Sequence, residues 1–221
     1  MPKYMIHAMP ARMWYVEEFL IPSMLAQGIE RQDITVWNDT ERLGNLTACH
    51  EAFLSCTEPG GTWHLQDDVI ISRDFAARTK QHDDGVVYGF CSPYFNDDCS
   101  IAGRVYPPDM WNSFQCVRIP NAIARECVEW FRSEGKTVGT LLPVILANKG
   151  DDTIFHEFFE IRHGRETALN LKPCLVNHVD YLIGGSVVNE WRGYIVQAEF
   201  WEDEDLLQDL KARLKARTQS F

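Results

Sequence analysis

The sequence predicts an α/β fold: a single domain with a mixed, largely parallel central sheet. Three observations carry this. Strand-like and helix-like pieces alternate in a β-α-β-α-β rhythm from Lys3 to Asp68. The 221 residues are 45% hydrophobic and 24% charged, which suits one ordinary core. Polar and acidic residues follow directly on the strand-like runs, at the carboxyl rim where open α/β sheets bind ligands.

Each element has its own signal. Lys3 to Met9 is short and apolar, hence a strand. After Pro10, Ala11 to Gln27 has helical spacing, with Met13, Val16, Phe19, Leu20, Met24 and Leu25 roughly on one face and Gly28 as the stop. Asp33 to Trp37 reads as a second strand, closing on Asn38 and Asp39. Leu46 to Cys56 is a helix, and Thr62 to Leu65 a third strand with Gln66, Asp67 and Asp68 at its carboxyl end. Val69 to Arg78 begins the next segment. The spacing places Asp39 and the Asp67–Asp68 pair on one rim.

The later half is less regular. Val86 to Cys91 and Ser113 to Ile119 read as strands, and Ala122 to Arg132 as a helix after Pro120. Asp151 to Glu160 is a helix with two acids in its first turn, where the dipole favours them. Pro173 to Val176 is a short strand, and Gly184-Gly185-Ser186 a small loop. Asp203 to Arg217 is an amphipathic closing helix, with Leu206, Leu207, Leu210 and Leu214 inward.

The bulk numbers exclude several classes. A net charge of -11 argues against a surface built to neutralise many phosphates. It leaves room for a diphosphate bridged by a metal ion, which supplies the positive charge itself. The seven cysteines (Cys49, Cys56, Cys91, Cys99, Cys116, Cys127 and Cys174) are odd in number and contain no Cys-x-x-Cys pair. That argues against a zinc ribbon and for free thiols in a reducing cytoplasm. No basic-then-apolar leader opens the chain, and no run is long enough for a membrane span. The expectation is a cytoplasmic protein.

The sharpest local signal is Trp63-His64-Leu65-Gln66-Asp67-Asp68-Val69-Ile70. Two acids interrupt an apolar, strand-like run. A buried carboxylate is costly unless paired or metal-bound. Hard oxygen ligands at a strand end suit Mg²⁺ or Mn²⁺ shared with substrate phosphates. The other reading is a turn, where Asp is common. Downstream, Pro173-Cys174-Leu175-Val176-Asn177-His178 precedes the Gly184-Gly185-Ser186 loop. His178 is either a ligand or a surface residue before a glycine turn, with Asp180 a less favoured substitute for it. Asp151 and Asp152 either cap a helix or act as a base.

The acidic run resembles the metal-binding motif of GT-A glycosyltransferases, in its Glu-Asp-Asp form. The sequence departs from that form at Gln66, which carries no charge. The resemblance implies a GT-A (Rossmann-like) domain over 1–221, with about 1–110 the nucleotide-sugar half, about 111–200 the acceptor and catalytic half, and 203–217 the closing helix. It implies Asp68 and His178 as metal ligands for Mn²⁺ or Mg²⁺. It places Arg12, Asp39, Asn45, Gln66, Asp67, Gly185 and Ser186 against the donor, a UDP-sugar by preference. It makes Asp152, or else Asp151, the base that deprotonates the acceptor. Trp111 falls where the family builds its acceptor site. The chain most resembles compact phage and prophage enzymes of this kind. Their acceptors include glycans, modified DNA bases, proteins and small molecules. Two rivals remain: a metal-dependent phosphohydrolase or nuclease, and a nucleotide-binding module without catalysis.

Overall fold

The computed structural model describes residues 2–90, 114–135, 151–164, 167–184, 198 and 201–218. The chain is α/β. Three parallel strands form the start of the sheet: β1 (Lys3–Ala8), β2 (Ile34–Asn38) and β3 (Gly61–Gln66). β1 lies between the other two, pairing Tyr4 with Ile34 and with Trp63. β6 (Cys116–Pro120) then adds antiparallel to β3, and β5 (Val87–Tyr88) antiparallel to β6. β7 (Leu169–Asn170) closes the order β2-β1-β3-β6-β5-β7, parallel to β5. The sheet is thus parallel where the β-α-β rhythm is regular and mixed beyond it.

Side chains alternate between the two faces of a strand, and here the alternation sorts the core. Tyr4, Ile6, Trp63, Leu65 and Cys116 face one hydrophobic cluster. That cluster includes the first helical run and α8 (Glu204–Thr218). Val117 and Ile119 point the other way, into a cluster with α3 (Asn45–Ser55), α5 (Asn121–Trp130) and α6 (Asp151–Arg162). His7 and His64 also take this second face, beside Phe53 of α3. Helices therefore cover both faces of the sheet, as parallel strands require.

Several boundaries depart from the expected ones. The Ala11–Gln27 helix is a composite. A 3-10 turn at Pro10–Arg12 leads through α1 (Met13–Tyr15) into a π-helical stretch, Val16–Leu20, and then α2 (Ile21–Ala26). Val69 to Arg78 divides into β4 (Val69–Ile71) and α4 (Phe75–Gln81). The late strand is β8 (Val176–His178), not Pro173 to Val176. Its limits are set by its partner: β4 and β8 form a separate antiparallel pair with Val69 opposite His178. Ser113 and Cys91, expected at strand ends, lie outside the described residues. In the closing helix Leu207 and Leu210 are buried, and Leu214 packs against the same core. Its first turn carries Glu204 and Asp205 and its last Lys215 and Arg217, matching the helix dipole.

Candidate functional site

The β4–β8 pair builds the site. Asp68 ends the turn between β3 and β4, and its carbonyl accepts the amide of Val179 (2.8 Å). That bond and the Val69–His178 register bring the end of β8 against the acidic turn. His178 Nε2 stands 3.2 Å from Asp68 Oδ2, and His178 Nδ1 stands 3.3 Å from Asp180 Oδ1. Asp180 opens the short helix α7 (Asp180–Ile183) and is only 2% exposed. Asp68, His178 and Asp180 each offer a ligand atom, all within 4.8 Å of one another.

Arg12 completes the cluster. It is 5% exposed, so it is no solvated helix residue. Its Nη1 donates to Asp67 Oδ1 (2.9 Å) and to Asp68 Oδ2 (2.5 Å), and its Nε to the Gly184 carbonyl (3.0 Å). The backbone amide of Met9 donates to Asp67 Oδ2 (2.8 Å). Both oxygens of Asp67 are therefore engaged, and they tie the loop after β1 to the end of β3. Asp68 Oδ1 is different: it is buried without a partner among the described residues.

The two acids differ in charge state. Burial and the neighbouring Asp68 charge raise the Asp67 carboxyl to about 6. Burial pushes Asp68 up as well, but the charges and hydrogen bonds of His178 and Arg12 outweigh it and hold Asp68 below its ordinary value. Burial pulls the His178 imidazole down, yet Asp68 and then Asp180 lift it above its ordinary value. Asp68 is thus the acid kept ionised.

The residues present fit a divalent cation. A buried carboxylate oxygen without a partner is costly, and the donor set of two carboxylates and one imidazole is one that Mn²⁺ accepts. With Asp67 engaged by Arg12 and Met9, Asp68, His178 and Asp180 form one three-donor cluster among the described residues.

A second feature lies along the same rim. An open cleft of about 590 Å³ sits at the carboxyl end of β2, lined among others by Trp37, Asn38, Asp39, Glu41, Leu43 and Glu51. The Asp39 amide donates to the Ala8 carbonyl (2.8 Å), which joins the cleft to the end of β1. The Asp39 carboxylate accepts the amides of Leu43 (2.8 Å) and Gly44 (3.3 Å), bracing the loop into α3. Gly44 has φ 84°, which favours glycine there. Trp37 Nε1 and Asn38 Oδ1 are buried without partners among the described residues. Adjacent strands lie about 4.8 Å apart, so the cleft at β2 and the acids at β3 are about 10 Å apart along the rim.

The other expected residues are placed as follows. Asn45 is exposed at the start of α3. Gln66 ends β3, where its side-chain oxygen accepts from Gln115 Nε2 at 3.4 Å. Gly185, Ser186 and Trp111 lie outside the described residues, as do the side chains of Asp151 and Asp152. The backbone of those two acids opens α6. Three residues further on, Phe155 packs against Phe114 (5.2 Å between rings), next to Gln115. Sequence reasoning placed Asp180 behind His178 and did not single out Glu41 or Glu51. Their relevance comes from the β4–β8 pairing and the β2–α3 packing, which no local pattern announces.

No family model matches the chain, and no curated protein matches it. Among solved structures, it is similar to the apo form of the glycosyltransferase GlyE from Streptococcus pneumoniae TIGR4. The identity is 12% and the TM-score 0.44, over 77% of this chain and 45% of that one. A further GlyE crystal structure from the same organism shows 11% identity and a TM-score of 0.42, with coverage again 77% and 45%. The chain spans less than half the length of these structures.

Proposed function

We propose that the chain transfers a sugar from a nucleotide-sugar donor, a UDP-sugar by preference, to an acceptor hydroxyl. The observation that carries this reading is the order of features along one rim: an open cleft at β2, then the end of β1, then the buried Asp68–His178–Asp180 cluster. That order suits a ligand with a nucleoside at one end and a diphosphate at the other.

Asp68, His178 and Asp180 would hold one Mn²⁺ or Mg²⁺ ion. Bound there, the ion would offset charge on the departing diphosphate. The chain's own residues do the rest. Asp39 holds the loop that walls the cleft, and Trp37 and Asn38 line it. Asp67 fixes the β1 loop through the Met9 amide and keeps Arg12 beside the diphosphate position. Asp152, or else Asp151, takes the acceptor proton from the start of α6. The acceptor class stands as the family resemblance suggests: a glycan, a modified DNA base, a protein or a small molecule, in a phage setting.

A phosphohydrolase with two ions would need donors beyond Asp68, His178 and Asp180, because Asp67 among the described residues is already engaged by Arg12 and Met9. The test is the melting temperature with UDP, GDP or CMP, each with and without Mn²⁺, in wild type and Asp68→Asn. A ligand at about 100 times its Kd stabilises by about 2.7 kcal/mol, or about 5 to 11 °C for a chain of this size. We expect that shift with one nucleotide, dependent on Mn²⁺ and lost in Asp68→Asn. No shift with any nucleotide sinks the reading.

A further inference from the structure

Arg12 occupies an unusual position for a residue beside a cation site. Its Nη1 holds Asp68 Oδ2, the same oxygen that faces His178 Nε2. Two positively polarised groups thus share one carboxylate oxygen while the other, Oδ1, has no partner among the described residues. The guanidinium is buried and always charged. A divalent ion entering between Asp68 and His178 meets that charge at close range, where little water screens it.

We infer that Arg12 is a built-in counter-cation that keeps the acidic turn closed to free divalent ions. It leaves Asp68 when a diphosphate supplies a replacement anion, so ion and nucleoside diphosphate bind cooperatively. This rests on the donor-site reading above. Three contacts support the exchange. The Arg12–Asp67 bond anchors the guanidinium when Asp68 is released. The Arg12–Gly184 bond holds it against the carboxyl end of α7. The unpartnered Asp68 Oδ1 gives the incoming ion an oxygen that Arg12 does not hold. The device selects against free metal, and it makes the ion report the presence of donor.

The test is Mn²⁺ binding followed by electron paramagnetic resonance and calorimetry, with and without UDP, in wild type, Arg12→Gln, Arg12→Met and Arg12→Lys. Circular dichroism checks each fold. Wild type should bind Mn²⁺ weakly alone and about 10-fold or more tightly with UDP. Arg12→Gln and Arg12→Met should bind Mn²⁺ alone about 10-fold more tightly than wild type, with the dependence on UDP reduced. Arg12→Lys, which keeps the charge, should stay weak. Unchanged or weaker Mn²⁺ binding in a folded neutral variant overturns the inference. If neither neutral variant folds, equal Mn²⁺ affinity of wild type with and without bound UDP overturns it. Failure of every nucleoside diphosphate to bind wild type would sink the donor reading instead, and the metal-alone comparison would still decide the role of Arg12.

Discussion

Between about pH 7.5 and about pH 5.5, three histidines packed around Phe53 should together withdraw about 4 kcal/mol of stability, before the opposing contributions of Asp67 and His178. His7, His50 and His64 lie 6.3, 6.5 and 4.8 Å from the Phe53 ring. His7 Nε2 and His64 Nδ1 are 2.8 Å apart on neighbouring strands, and His64 Nε2 is buried without a partner among the described residues. Burial lowers His7 to about 4. Burial, then the Arg132 charge, lowers His50 to about 4. Burial, then His7, holds His64 well below its ordinary value. All three are neutral in the fold, and in the unfolded chain each takes a proton near pH 6.5. The unfolded state then binds more protons, so stability is full above about pH 6.5 and falls as pH drops toward 4. At pH 5.5 the loss is about 1.4 kcal/mol per ring. Asp67, raised to about 6 by burial and Asp68, works the other way and returns about 1 kcal/mol. His178, whose value is also raised, opposes the loss too. The comparison must therefore be between variants. Urea unfolding at the two pH values, in wild type and His50→Phe, isolates one ring. The variant should lose about 1.4 kcal/mol less than wild type on acidification. Equal losses would show that His50 is not held neutral, and would refute the reasoning for this face of the sheet.

Two packing predictions follow from the strands beside the site. A Cβ at Gly89 would stand 2.9 Å from Leu175 Cδ1 and 3.0 Å from Cys116 Sγ. Gly89→Ala should therefore cost about 1–3 kcal/mol, read as a lower melting temperature. Asn121 is buried; it accepts the hydroxyl of Thr62 in β3 (2.9 Å) and donates to the Glu58 carbonyl in the turn before that strand (2.8 Å). Asn121→Ala strands both partners and should cost about 1–3 kcal/mol in urea unfolding.

The regular half of the fold was open to sequence reasoning because its signals are local. Strand alternation around Ile6 and Leu65, the glycine stop at Gly28 and the acids after β3 all lie within a few residues of what they determine. The parallel β2-β1-β3 core and the shared rim of Asp39 and Asp67 follow from them. The site's internal order depends on distant pairings instead. Asp180 stands in the sequence as a substitute for His178, and it joins His178 and Asp68 because β4 meets β8 across more than a hundred residues. Arg12 looks like any helix residue until Asp67 and Asp68 fold against it. The π-helical stretch at Val16–Leu20 keeps apolar spacing close enough to an α-helix to hide in it. The strand limit at His178 was misplaced for the same reason: its partner, not its own composition, fixes it.

In the proposed function this rim breaks the bond between a sugar and a nucleoside diphosphate. The direct measurement incubates the protein with UDP-sugars and GDP-sugars in Mn²⁺ and ¹⁸O-labelled water, in wild type and Asp68→Asn, and identifies the products by mass. We expect slow release of intact nucleoside diphosphate from one donor, with the label on the sugar, and none from Asp68→Asn. Nucleoside monophosphate with sugar phosphate, the label on phosphorus, would mean cleavage of the phosphate linkage and would contradict the account.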